Sequence, residues 1–213
     1  MSIEGSIHRT AEIHKTATIG LDATIEEDAV IGRGVKICAL AWIGAGAKIE
    51  DDATIGERTW IEDDATIGSG AMIEEDAAIG RGVKIGEGAW IEPGVTVCCD
   101  SKIEEDAEIE RGATIGLDAT IKRCATIGRG AWIEDDATIG RDALIEDDAK
   151  IGNGATIGRG VKIGERTKIG DGAIIYDGAT IEDDATIEDD AKIGNGATIG
   201  EVKDVTEGST TFI

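Results

Sequence analysis

The chain has 213 residues, with 21 basic and 44 acidic side chains, a formal net charge of −23, and only 3% aromatic residues. This charge argues against nucleic-acid binding, which needs a basic surface to release counterions from phosphates, and against docking on anionic membranes. The opening residues form no long apolar run and no stretch approaches the ~18 apolar residues of a membrane span, so we expect a cytoplasmic protein.

Three regions follow along the chain: an N-terminal cap over residues 1–6, a repeat over residues 7–200, and a C-terminal cap over residues 201–213. In the repeat, every sixth residue from Ile7 to Ile199 is isoleucine, with Val97 as the one exception. A small residue, most often alanine, stands two positions before each of them. The tail after Gly200 loses this period but keeps apolar residues, so we expect it to cover the last coil.

Each six-residue unit predicts one short strand followed by a corner. Alternate side chains of a strand point to opposite faces, so the small residue and the isoleucine would point inward and the residue between them outward. The third residue after most isoleucines is Gly or Asp, which tolerate the positive φ of a tight turn. A period of six leaves no apolar stripe at helical spacing. The predicted class is therefore all-β, with strands stacked in parallel ladders about 4.8 Å apart.

The repeated unit has six positions: Ile, then Gly or Glu, any residue, Gly or Asp, Ala, and any residue. Over residues 5–200 this unit resembles the repeat of the hexapeptide-repeat family. The resemblance implies a single left-handed parallel β-helix (a β-solenoid) of triangular 18-residue coils, about 11 coils for the 33 units. The family is best known for trimeric acyltransferases that use acetyl-coenzyme A or acyl-carrier protein, and for zinc carbonic anhydrases. Their chemistry usually depends on histidine at subunit interfaces, often beside a loop that interrupts the coils.

A coil of 18 residues would stack residues 18 apart on three outward faces, and all four tryptophans are predicted to point outward. Met72 would stack on Trp90. Trp42, Trp60 and Trp132 lie on one of these faces, which is therefore a candidate interface with another molecule. The alternative is that these rings only stabilise a polar sheet across its strands.

Two corners carry columns of like charge. One column, a candidate anion ladder, consists of Arg123, Arg141 and Arg159. The other, a candidate cation ladder for calcium, consists of Asp100, Asp118 and Asp136. Solvated surface charge is the competing interpretation of both columns. Elsewhere the corner charges alternate in sign, so we expect ion pairs between coils, such as Arg33 with Asp51 and Arg129 with Asp147, to help set the register.

Histidine and cysteine do not form a catalytic or metal-binding pattern. His8 and His14 are the only histidines, and six residues place them on successive corners, too far apart to bind one metal within a chain. The cysteines show no CxxC spacing and no histidine lies near them, which predicts isolated turn thiols at Cys38, Cys98, Cys99 and Cys124. We therefore predict no catalytic residue, no cofactor and no metal.

The favoured function is a structural scaffold without catalytic activity, artificial or consensus-like in origin. Uniform isoleucine and unbroken register favour it, and two first-coil histidines do not supply acyltransferase or carbonic anhydrase chemistry. The alternative is a natural hexapeptide-repeat acyltransferase homologue acting as a trimer. An ice-binding protein is the less favoured third choice, with its threonine row at Thr120, Thr138 and Thr156. We expect a monomer in preference to a homotrimer.

Overall fold

The computed structural model describes residues 6–200, so the predicted caps at residues 1–6 and 201–213 lie outside it apart from Ser6. Within this range the chain forms 32 two-residue strands and no helix. The strands build three parallel sheets of 11, 11 and 10 strands, and a bridge between Ile7 and Ile25 begins the third sheet. This confirms the predicted all-β parallel solenoid with three-sided coils.

In the first sheet the strands are, in order, Glu12–Ile13, Val30–Ile31, Lys48–Ile49, Thr66–Ile67, Lys84–Ile85, Lys102–Ile103, Thr120–Ile121, Thr138–Ile139, Thr156–Ile157, Ile174–Ile175 and Lys192–Ile193. In the second sheet they are Thr18–Ile19, Lys36–Ile37, Thr54–Ile55, Met72–Ile73, Trp90–Ile91, Glu108–Ile109, Thr126–Ile127, Leu144–Ile145, Lys162–Ile163, Thr180–Ile181 and Thr198–Ile199. In the third sheet they are Thr24–Ile25, Trp42–Ile43, Trp60–Ile61, Ala78–Ile79, Thr96–Val97, Thr114–Ile115, Trp132–Ile133, Lys150–Ile151, Lys168–Ile169 and Thr186–Ile187.

Neighbouring strands pair residues that are 18 positions apart, as in the pairing of Ile121 with Ile139. The isoleucine of each strand points into the prism, and from Ile25 onward these side chains are buried together with the preceding alanines. Three buried positions hold hydroxyl groups instead of alanine. Thr59, Ser101 and Thr167 each donate to a corner carbonyl 15 residues ahead, at 3.0, 2.5 and 2.9 Å. These bonds let a polar side chain occupy the core.

From Ile19 to Ile193 the corners turn through a residue in the left-handed region, the third after each inward isoleucine or Val97, where φ lies between 53° and 71°. Most of these residues are Gly or Asp, as predicted, but Leu40, Arg58, Cys124 and Arg166 adopt the same conformation. The corner amides are not left unpaired, because each donates to the preceding coil, as Asp52 N does to Arg33 O at 2.7 Å. Stacking therefore holds bulky residues in a conformation that they rarely adopt.

Ion pairs between coils form at the predicted positions with one difference. Arg33 lies 3.4 Å from Asp51, and Arg123 lies 3.5 Å from Glu105. Asp147 instead accepts a hydrogen bond from the backbone N–H of Arg129, at 2.8 Å. The Asp147 carboxylate thus helps to fix the register of its coil by binding the backbone of the preceding coil. Among residues 6–200 no helix is long and apolar enough to cross a membrane.

Candidate functional site

A groove of about 520 Å³ runs along the corner between the first and second sheets. Its floor includes Gly68 and Gly86, the first corner residues of two successive coils. A Cβ at Gly86 would lie 2.5 Å from the backbone N of Glu105, so this floor is closed to side chains. Glu50 and Glu104 occupy the same corner position in the flanking coils and bound the groove. The groove is thus made by glycines between two carboxylates.

Four cations line this groove, which we call the basic groove: Lys84, Lys102, Arg123 and Arg141. They come from four successive coils, two from the outward face of the first sheet and two from the corner column. Four carboxylates line the same groove and match the cations in number: Glu50, Glu87, Glu104 and Glu105. Lys102 Nζ lies 2.8 Å from Glu104, and Arg123 lies 3.5 Å from Glu105. Within residues 6–200, Lys84 and Arg141 form no ion pair.

The bounding carboxylates stay ionised because lysines hydrogen-bond to them. The bond from Lys48 holds the pKa of Glu50 below its usual range, outweighing the opposing effect of partial burial. The bond from Lys102 lowers the pKa of Glu104 in the same way. Two lysines of this sheet are therefore committed to carboxylates, whereas Lys84 keeps a charge that no neighbouring side chain in the described chain compensates.

The candidate anion ladder is stacked as its spacing predicts, but only part of it belongs to the basic groove. Backbone bonds from Asp142 N to Arg123 O and from Gly160 N to Arg141 O place the arginines in one column. Arg159 lies beyond the groove lining. Sequence reasoning missed the two lysines, although Lys84 and Lys102 are 18 residues apart and Lys84 stands beside the glycine corner at Gly86.

The tryptophan face, the outward side of the third sheet, carries Trp42, Trp60 and Trp132. Trp42 and Trp60 are paired in register, with ring centroids 4.5 Å apart and planes tilted by 31°. Trp132 lies farther along, with Lys150 Nζ 5.6 Å from its ring centroid. The two stacked rings and the isolated one are therefore separate features of the same face. On the second sheet, Met72 pairs in register with Trp90, as expected.

A smaller groove of about 250 Å³ lies beside Trp60, and sequence analysis did not identify it. Ala78, Cys98 and Leu117 contribute to its lining, and the side chains of Trp60 and Leu117 remain exposed. Burial raises the pKa of the Cys98 thiol, and the nearby Asp135 carboxylate raises it further. Cys98 is thus a neutral thiol that widens the apolar surface of the tryptophan face, and it is poorly suited to act as a nucleophile.

The two histidines lie in the first coil, and each is held by the threonine two residues later. His8 Nδ1 lies 2.9 Å from Thr10 Oγ1, and His14 Nδ1 lies 2.8 Å from Thr16 Oγ1. The backbone N–H of Thr16 also donates to His14 Nδ1, at 3.3 Å. An Nδ1 that accepts this bond assigns the proton of the neutral ring to Nε2. Each imidazole therefore presents an Nε2–H donor to the outside.

The candidate cation ladder stacks in register, but its carboxylates do not gather. Asp100, Asp118 and Asp136 are corner residues with positive φ in successive coils. In the described part of the chain no group of three or more His, Cys, Asp and Glu side chains is arranged to hold a metal ion. The threonine row is also in register, with Thr138 between Thr120 and Thr156.

Comparison with known proteins identifies the repeat. A family model described as bacterial transferase hexapeptide (six repeats) matches residues 124–159 and 166–201. A second model, the GMPPB C-terminal domain, matches residues 37–127. No curated protein matches the chain.

Several solved structures are similar to the chain at low sequence identity and with TM-scores below 0.5. One is the UDP-N-acetylglucosamine O-acyltransferase LpxA of Moraxella catarrhalis, with 20% identity, a TM-score of 0.43, and coverage of 91% of this chain and 70% of that one. The acetyltransferase domain of PglB from Neisseria gonorrhoeae is 23% identical, with a TM-score of 0.30, over 53% of this chain and 54% of that one. PerB of Caulobacter crescentus is 22% identical, with a TM-score of 0.33, over 54% and 49%. The chain thus spans only about half of the last two proteins.

These findings correct the functional expectation. The favoured interpretation, an artificial scaffold that is not an enzyme, is contradicted because the matched repeat model is that of bacterial transferases. The finding supports the alternative, a natural acyltransferase homologue. The uniform isoleucine positions indicate how the core of the prism packs. They do not indicate whether the protein is an enzyme, because activity depends on sites on the surface of a fold. Residues 124–159 and 166–201 match the bacterial transferase hexapeptide model, and the described chain folds as a parallel β-solenoid of three-sided coils.

Proposed function

We propose that this chain is an acyltransferase that works as a homotrimer, with its site completed by a neighbouring copy. The observation that carries the proposal is the pair of matches to the bacterial transferase hexapeptide model, which together extend from residue 124 to residue 201 with one short gap. The resemblance of the repeat to trimeric acyltransferases gives the reaction class and the assembly. The donor would be an acyl thioester and the acceptor an amine or a hydroxyl group.

The first-coil histidines supply hydrogen-bond donors to the reacting carbonyl oxygen in this proposal, and the departing thiolate of the thioester takes the proton that the acceptor loses. In acyl transfer the carbonyl oxygen of the thioester gains negative charge as the acceptor attacks, and a hydrogen-bond donor placed there stabilises the transition state. His14 presents its Nε2–H outward because Thr16 binds Nδ1. Thr16 is itself held by the N–H of Gly34, at 3.0 Å. The imidazole is thus oriented by two coils of the prism.

A second copy is needed because one chain offers no enclosed site around these rings. His8 and His14 line none of the four described grooves. A neighbouring prism packed alongside would supply the opposite wall and exclude water from the acyl group. In this packing the tryptophan face of one copy would lie against the corner of the next copy that carries His14, because the exposed aromatic rings of that face favour burial.

The experiment is a transfer assay on the purified full chain. Acetyl-coenzyme A and acyl-carrier-protein thioesters are offered with a panel of amino sugars and amines, and the acylated acceptor is measured by mass spectrometry. We expect product that depends on the protein and falls by about 10²-fold or more in His14→Ala, the scale of removing one hydrogen-bond donor to an oxyanion. Lys192→Gln, an exposed change on the first sheet, is the matched control and should retain activity. Absence of product across the panel, or full activity in the His14→Ala and His8→Ala variants, contradicts the proposal.

A further inference from the structure

We propose that the small groove beside Trp60 binds an organic cation, a primary ammonium group carried on a short apolar chain. The groove, of about 250 Å³, runs from Ala78 on the third sheet to corner residues such as Gly80 and Leu117, so it opens at the edge of the tryptophan face. Binding there does not depend on acyl transfer, because one chain supplies the aromatic ring, the slot beside it and a carboxylate.

The ring of Trp60 has a stacked neighbour on one side only. Trp42 in the preceding coil lies against it, with ring centroids 4.5 Å apart. In the following coil the register partner of Trp60 is Ala78, the only alanine among the outward strand residues of the described chain. Because the alanine side chain ends at Cβ, it leaves a slot beside Trp60, which is 51% exposed.

The chain contains its own model of a group that fits this ring. The nine residues Trp-Ile-Glu-Asp-Asp-Ala-Thr-Ile-Gly occur twice, over residues 60–68 and 132–140. In the second segment the register partner of Trp132 is Lys150, whose Nζ lies 5.6 Å from the ring centroid. A cation within about 6 Å of an indole centroid is attracted to the ring. The first segment offers the same residues, but the register partner of its tryptophan carries no charge.

The charges around the slot favour a cation. Glu62 lines the groove, and within the described chain no lysine or arginine lines it. Glu62 Oε2 accepts a hydrogen bond from the backbone N–H of Arg81, at 3.0 Å, but Glu62 forms no ion pair among residues 6–200. The Arg81 guanidinium lies instead on the side of Asp63, 3.9 Å away. A carboxylate without a cationic partner, in a chain of net charge −23, attracts a positive ligand.

The rest of the lining suits a short apolar body. Val97, Cys98 and Leu117 contribute apolar surface, and the Cys98 thiol stays neutral because burial raises its pKa. The groove, at about 250 Å³, is smaller than the roughly 300–1,000 Å³ of pockets that hold drug-sized ligands. The matching probe is n-butylammonium, which is the lysine side chain as a free molecule.

The test is an NMR titration of the ¹⁵N-labelled full chain with n-butylammonium chloride at constant ionic strength. Each tryptophan gives one indole Nε1–H signal, and the signal that disappears in Trp60→Phe is that of Trp60. We expect the Trp60 signal to shift saturably at millimolar ligand, and the Trp132 signal to shift less, because Lys150 already occupies that ring. Butanol has the same chain without the charge and should bind roughly threefold or more weakly.

Four variants separate the slot from the rest of the surface. Ala78→Leu fills the slot and should weaken binding by roughly tenfold or more. Thr114→Leu lies on the same face outside the groove lining and should bind as the wild type does. Glu62→Gln should weaken binding by roughly threefold, whereas Glu134→Gln, the matching change in the second segment, should not. None of these variants alters a tryptophan, so self-association through the tryptophan face is measured separately.

The absence of a saturable Trp60 shift at tens of millimolar n-butylammonium would overturn the proposal. Equal shifts at Trp60 and Trp132 contradict it as well, because they indicate a general salt effect. Equal affinity for butanol indicates an apolar site without charge recognition, and unchanged binding in Ala78→Leu, with a fold retained by circular dichroism, places the ligand elsewhere. These readouts involve no catalysis, so a failure of this site is distinguished from a failure of acyl transfer.

Discussion

Arg58 donates two parallel hydrogen bonds to Asp76 in the next coil, with Nε 2.7 Å from Oδ1 and Nη2 2.9 Å from Oδ2. Arg58 has positive φ, a conformation unusual for a residue with a long side chain. The pairing recurs 108 residues later, where Arg166 meets Asp184 at 2.8 Å through both nitrogens. In both places the chain reads Gly-Glu-Arg-Thr, and the Thr is buried and bonded to the next coil. The segment is thus a repeated clamp between two coils.

The clamp predicts a pH-dependent contribution to stability. The hydrogen bonds from Arg58 hold the pKa of Asp76 below its usual range. A carboxyl whose folded pKa is depressed contributes stability above its unfolded pKa, and that contribution is lost as the pH falls through the folded pKa. We expect Asp76→Asn to lower the thermal midpoint at pH 7, and the difference from wild type to shrink below about pH 4, where the unfolded carboxyl protonates. Thermal melts between neutral and acid pH check this.

Asp136→Asn is the control for the clamp, because Asp136 has the same positive φ and forms no ion pair with an arginine in the described residues. Its effect on the thermal midpoint should be smaller at pH 7 and should not shrink in acid. The prediction is contradicted if the thermal midpoint of the wild type exceeds that of Asp76→Asn by the same amount at pH 7 and in acid.

The isoleucine columns predict a large cost for truncation in the middle of the prism. Ile121 is fully buried between Ile103 and Ile139 of the same sheet. Ile121→Ala removes buried methyl groups and leaves a cavity that stacked coils cannot close, which should cost roughly 2–5 kcal/mol. Ile121→Val should cost roughly 0.5–1.5 kcal/mol, since Val97 already occupies an equivalent site. Urea unfolding measures both, and a loss under 1 kcal/mol for the alanine variant contradicts this account of the core.

Much of the fold follows from the sequence because one period sets both the side-chain direction and the coil. Ile121 points inward and Trp60 outward for the same reason, a strand alternation of two in a unit of six. The groove was not predictable in this way. It depends on which coils carry glycine at the corner, here Gly68 and Gly86, and on the direction of the Arg141 side chain, which a linear pattern does not give. The prediction of no activity is contradicted by the match to the bacterial transferase hexapeptide model, because an unbroken repeat determines the packing of the coils and not their chemistry.

The glycine floor predicts which substitutions close the basic groove. Gly86→Ala would bring a Cβ within 2.5 Å of the backbone N of Glu105, so the corners of two coils must move apart. We expect destabilisation beyond the roughly 1 kcal/mol that a strained backbone alone costs. Gly154→Ala is the matched control, because its Cβ meets nothing within 4 Å although φ is +63°. Equal urea midpoints for the two variants would show that the close approach at Gly86 does not decide stability.

The tryptophan face predicts the route of self-association. Trp42 and Trp60 stack with centroids 4.5 Å apart, and the ring of Trp60 remains exposed, so packing of a second prism would bury apolar surface there. We expect the wild type to weigh as a trimer by light scattering, and Trp42→Thr with Trp60→Thr to weigh as a monomer, since threonine keeps the strand but removes the aromatic surface. Trp90→Thr is the matched control, because Trp90 also points outward but lies on the second sheet, where it donates to Glu74 at 2.8 Å; it should remain a trimer. A double variant that stays trimeric at low micromolar concentration, or a wild type that is monomeric there, rules this face out as the interface.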